Sequence, residues 1–206
     1  MAFDLQEQEQ IAEMKAWWHD YGRHIALGVG VVLAAYAAWQ GWQVWQKSQA
    51  GKAAEVFARV ESAVGDPAKL KAAIDELKRD FTKSPYASRA ALLSAREAFA
   101  KADLAGAKED LNWVLTNSTE AMARDLARQR LASILGDENK LDEAIKLVER
   151  PEVEGMDAIF AEVRGDLYAI KGEKELAREA YKAAMSKQEA GAQNFIEMKL
   201  DALGAR

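Results

Sequence analysis

Between Arg23 and Lys47 the chain runs "HIALGVGVVLAAYAAWQGWQVWQ", residues 24–46, without one formally charged side chain. No other feature constrains the fold as much. Residues 25–45, if helical, extend roughly 32 Å at about 1.5 Å per residue, enough for a bilayer's hydrocarbon core. A core helix of a water-soluble domain is shorter and shows a polar face. Here Gln40 and Gln43 are the only strongly polar residues inside, and both lie near the C-terminal end. Trp39, Trp42 and Trp45 cluster at that end, and Trp17, Trp18 and Tyr21 precede the other. Indole and phenol rings favour the lipid–water boundary.

A cleaved signal peptide is the rival reading, because Ala35-Tyr36-Ala37 has the small-x-small form of a cleavage site. The region before the run argues against it. Lys15 and Arg23 face Asp4, Glu7, Glu9, Glu13 and Asp20, whereas a signal begins with a positive segment. The expectation is an uncleaved membrane-spanning helix over 24–46, led by a short segment 1–23. In that segment Ile11, Met14, Trp18 and Tyr21 form one helical stripe. A helix leading into the span fits it better than one lying on the membrane surface, because the segment is acidic. Gly30, Ala34 and Ala38 repeat at every fourth residue, with Gly41 near the same face. Such a row lets another transmembrane helix approach closely.

Beyond residue 45 the chain holds 26 Lys and Arg against 28 Asp and Glu. This near-neutral balance lacks the basic face of a nucleic-acid binder. There is no cysteine, and the only histidines, His19 and His24, sit beside the apolar run. The remainder therefore has no disulfide, no Cys or His metal site and no His-based catalysis. No segment has the spacing of a carboxylate or Ser–Lys mechanism either. The expectation is a non-enzyme with no cofactor and no metal.

With Ala, Leu, Glu and Lys abundant, residues 47–206 read as all-helical, and they repeat. In "AEVRGDLYAIKGEKELAREAYKAA", Gly165, Tyr168, Gly172, Ala177, Tyr181 and Ala184 follow the tetratricopeptide pattern. Gly165 lets two helices approach, Tyr168 and Tyr181 fill the space between them, and Gly172 marks the turn. With Ala177 as the ruler, Ala144, Ala107 and Ala73 stand in phase, at spacings of 33, 37 and 34 residues. Leu131, Leu135, Leu141 and Val148 flank Ala144. Ala95, Ala98, Leu104, Leu111 and Val114 flank Ala107, and Phe57, Val60, Val64, Leu70 and Leu77 flank Ala73. Residues 189–203, with Phe195, Met198 and Leu203, read as the capping helix that such an array needs for solubility.

The first helix of each pair lines the inner face of a tetratricopeptide stack. By that template Arg89, Leu92, Arg96, Phe99, Gln129, Ile159 and Glu162 are the candidate groove residues. Trp113 falls on a second helix and reads as packing.

The acidic, glutamine-rich start with "KAWWHDYG", the span ending "AAWQGWQVWQ" and the helical repeats together resemble the YfgM-like ancillary Sec translocon subunits of Gram-negative bacteria. The likeness is most specific over residues 3–47 and covers essentially the whole chain. It implies a bacterial inner-membrane, single-pass protein with a cytoplasmic N-terminus and a periplasmic repeat domain. The implied partners are Sec channel subunits, membrane lipid and a membrane-anchored periplasmic chaperone resembling a peptidyl-prolyl isomerase. The implied role is a scaffold that helps exported chains pass on to periplasmic chaperones. A general holdase that grips unfolded clients is the alternative, and it calls for an exposed apolar groove. Lys15 and Arg23 on one side, against Lys47, Lys52 and Arg59 on the other, leave the positive-inside count undecided. Orientation therefore follows from the resemblance alone.

Overall fold

The computed structural model describes residues 2–63, 65–187 and 193–204. Val64 of the first expected repeat and residues 189–192 of the expected cap lie outside them. The chain divides into two compact units, Met1–Gly51 and Lys52–Arg206, and every described element is helical.

The first unit is the greater part of one uninterrupted helix, α1 (Ala2–Ser62). The stripe leading into the apolar run is thus continuous with it. Over an 18-residue window α1 reaches a mean hydropathy of 1.4 with none of that window buried. A soluble core helix hides such a surface, because each apolar side chain left in water forfeits about 1.5–3 kcal/mol of burial. The length, composition and exposure are those of a membrane anchor. Aromatic neighbours pair along it, Trp17 with Tyr21 at 5.8 Å and Trp42 with Trp45 at 5.2 Å between ring centres.

In the second unit the helices come in pairs. The end of α1 precedes α2 (Pro67–Asp80), and α3 (Pro85–Ala100) packs on α4 (Leu104–Asn117). Next come α5 (Ala121–Asp137) with α6 (Leu141–Leu147), then α7 (Asp157–Lys171) with α8 (Lys174–Ser186), and last α9 (Gln193–Ala202). The starts are specified locally. Asp66, Ser84 and Asp103 each accept a backbone N–H of the first turn, and Pro67 and Pro85 occupy first-turn positions that need no donor.

The repeat phase is visible in the core and in the turns. Ala73 is 4% exposed, and Ala107, Ala144 and Ala177 are 0%; all four lie on the second helix of a pair. Three within-pair turns close identically. The N–H of Asp103 donates to the carbonyl of Ala98, Lys140 to Leu135, and Glu173 to Tyr168, at 2.8–2.9 Å. This six-residue closure needs a left-handed residue just past the helix. Ala102 (φ 60°), Asn139 (φ 60°) and Gly172 (φ 82°) fill that position. Only the alanine is strained there, so Ala102→Gly should raise stability by about 0.5–1 kcal/mol. Denaturant midpoints at equal slope check this, and a lowered midpoint would show that Ala102 bears no strain.

The α6–α7 connection departs from the regular pattern. α6 stops after seven residues, and Pro151 follows four residues on, removing a donor and turning Arg150 away from helical geometry. Arginines satisfy the freed carbonyls. Arg164 donates to Val148 and Glu149, and Arg128 to Arg150. Asp125, fully buried on α5, accepts the backbone N–H groups of Glu152 and Val153 at 2.9 Å each and also pairs with Arg128.

Of the apolar residues expected on the capping segment, Leu203 packs inward, whereas Phe195 and Met198 face outward. Phe195 and Met198 are 60% and 68% exposed, while Ile196 is 1% exposed, with Leu200 and Leu203 packed beside it. Lys199 decides the rotation. Its ammonium reaches Glu162 at 2.8 Å and Asp166 at 2.7 Å on α7, and lies 4.8 Å from the centre of the Phe195 ring.

Candidate functional site

The first helices α3, α5 and α7 contact one another in sequence, while α4, α6 and α8 back them. On the α3–α5 side opens a cavity of about 230 Å³, lined by Ala95, Arg96, Phe99, Leu111, Gln129, Arg130, Ser133 and Ile134. Three of the groove residues expected from the sequence, Arg96, Phe99 and Gln129, meet there. Phe99 is 49% exposed, a large ring held at the rim.

The other four lie elsewhere. Leu92 belongs to the core cluster, buried with Ala91 and Ala95. Arg89 is exposed, 5.8 Å from the centre of the Tyr86 ring and 4.0 Å from the Glu120 carboxylate. Ile159 is exposed on α7, and Glu162 is engaged by Lys199. Trp113 packs against two core clusters, with the Lys78 ammonium 5.5 Å from its ring centre.

Sequence reasoning missed Arg130 and Ser133. Ser133 stands one turn after Gln129 and could have been found from that spacing. Arg130 had no such signal, because its side chain turns back to donate to the Leu92 carbonyl at 3.2 Å. Burial, and then the Arg96 charge, hold the Arg130 guanidinium below its ordinary basicity.

On α1, Arg23, Ala26, Leu27, Gly30, Val31 and Ala34 border an open depression. Nothing lies within 4 Å of where a Cβ would stand at Gly30 or Gly41. Ala26 extends the row of Gly30, Ala34 and Ala38 by one turn, and the sequence reading had passed over it. Among the described residues no cluster of three or more His, Asp or Glu is placed to hold a metal.

Comparison with known proteins places these features in context. A family model described as "Tetratricopeptide repeat-like domain" matches residues 15–205. A protein of Haemophilus influenzae named "Ancillary SecYEG translocon subunit" is 28% identical, covering 98% of this chain and 100% of its own. Proteins of the same name from Neisseria gonorrhoeae and Escherichia coli are 28% and 27% identical, each over at least 96% of both chains. No solved structure matches. The apolar helix and the in-phase repeats thus fall inside one matched region, and the chain belongs to the tetratricopeptide repeat-like domain family, with ancillary SecYEG translocon subunits as full-length relatives.

Proposed function

We propose that this chain is a non-enzymatic scaffold of the Sec translocon, anchored in the bacterial inner membrane. Residues 1–23 face the cytoplasm, 24–46 span the bilayer and 47–206 form the periplasmic repeat domain. The row Gly30, Ala34, Ala38 and Gly41 packs against helices of the channel. The inner repeat face, with Arg89, Leu92, Arg96, Phe99, Gln129, Ile159 and Glu162, receives a membrane-anchored chaperone resembling a peptidyl-prolyl isomerase. Exported chains are passed on through that contact. Tethering raises the effective concentration of the partner at the channel without any new contact.

The observation that carries this reading is the full-length match to relatives named as ancillary translocon subunits. Support also comes from an aromatic rim over a cavity on the inner face, a feature suited to anchoring a partner side chain. A general holdase fits less well, since Phe99 and Ile159 are exposed apolar residues on different helices with charges beside them.

Photocrosslinkers placed at Phe99 and Gln129, and separately at Gly30 and Ala34, test it in cells. The expected products are a chaperone from the first pair and channel subunits from the second. Chaperone products from the span alone would move that contact into the membrane. Protease added to spheroplasts should digest the repeat domain, and full protection would overturn the orientation.

A further inference from the structure

The α3–α5 cavity is smaller than the roughly 300–1,000 Å³ of small-molecule sites, and its floor is apolar: Ala95, Leu111 and Ile134. Two cations flank it. Arg130 is half-buried, and its one hydrogen bond to protein among the described residues goes to the Leu92 carbonyl. A guanidinium carries five donors, and no carboxylate among the described residues answers this one. Arg96 is exposed and, among the described residues, pairs only with its neighbour Glu97, at 3.3 Å. An exposed pair of that kind is weak and readily exchanged. The arginines also repel each other, which helps hold Arg130 below its ordinary basicity. Gln129 and Ser133, the other polar side chains of the lining, are neutral.

We infer that the cavity receives an acidic side chain flanked by an apolar one from a partner polypeptide. The apolar side chain enters beneath Phe99, and the carboxylate lies between Arg96 and Arg130. The carboxylate is the complementary group because it relieves the like-charge contact and takes the unused donors of Arg130, and charge-assisted bonds to guanidinium are the strong ones. An amide there accepts a hydrogen bond but leaves the charge of both arginines uncompensated, and a basic group adds to the repulsion. This inference rests on the reading of the inner repeat face as the partner site.

The test uses the full chain in detergent and two pools of end-blocked peptides. The pools share a centre flanked by Leu or Phe, with Glu at that centre in one and Gln in the other. In fluorescence anisotropy the Glu pool should bind about tenfold tighter. Arg96→Gln and Arg130→Gln should each erase the preference, whereas Arg79→Gln, an exposed arginine on α2 outside both the cavity and the inner repeat face, should keep it. If Arg130→Gln loses cooperative unfolding, the exposed Arg96 variant gives the same reading. Equal binding of the pools, or a Glu preference that survives Arg96→Gln, overturns the inference. Equal binding that Phe99→Ala weakens leaves the inner face as the partner site and removes only acidic recognition. No binding of either pool overturns the inference, and the in-cell crosslinks then judge the inner face by themselves.

Discussion

Asp125→Ala lowers the stability of the repeat array by about 3–5 kcal/mol, the cost of breaking a buried charge pair by removing one partner. The carboxylate is 0% exposed and holds three donors: Arg128 and the backbone N–H groups of Glu152 and Val153. Without it, two part-buried backbone donors of the α6–α7 connection also lose their acceptor. Glu152 still takes one bond from Arg128, at 2.8 Å, which limits the loss on the arginine side. The thermal midpoint should fall by roughly 2–4 °C per kcal/mol for an array of this size. Asp125→Asn keeps one acceptor and should fall between the two. Thermal unfolding of the full chain in detergent, followed by circular dichroism, measures it. A midpoint for Asp125→Ala within about 2 °C of the parent would show that water serves those donors equally well.

Gly165→Ala has the second largest expected effect, and it runs against helix propensity. Alanine favours a helix interior by about 1 kcal/mol over glycine, so the exchange should stabilise α7 if nothing opposed it. A Cβ at that position would lie 2.4 Å from two carbons of the Tyr181 ring. The ring cannot easily withdraw. Tyr181 is 3% exposed, and its hydroxyl donates to Asp166 at 2.7 Å. Burial and that bond push the hydroxyl above its ordinary pKa, so it stays a donor over the whole working range. Overpacking should exceed the propensity gain and leave a net loss of about 1–3 kcal/mol. In a Tyr181→Leu background the ring is gone and the same exchange should cost less, a coupling that a double-mutant cycle reads directly. An additive cycle would mean that α7 and α8 do not meet through this pair.

The sequence alone was enough for the membrane anchor and for the repeats, since both are properties of spacing along one chain. A charge-free run can be counted, and an alanine every 33 to 37 residues marks where helices approach too closely for a larger side chain. Gly165 and Gly172 were legible for the same reason, since the pattern names the positions that demand a missing Cβ or a left-handed turn. Ala102 was not, because it holds the same turn as Gly172 without the residue type that announces it. The template named Arg96, Phe99 and Gln129, which line one cavity, but it named Leu92 on the same grounds, and that side chain lies in the core.

Tertiary structure decided the rest. Asp125 looks like any helix carboxylate until residues 27 and 28 positions later bring it their backbone donors. The face of α9 could not be chosen from its own periodicity, because Phe195 and Met198 make as good a stripe as Ile196 and Leu200. The ion pairs of Lys199 with α7 selected between them. Arg130 joined the cavity by the same kind of selection, through a carbonyl 38 residues away. Local spacing sets which residues form a helix and which side is apolar. A polar side chain takes its place from partners distant in sequence, because burial without one costs several kcal/mol, and only the folded chain supplies them.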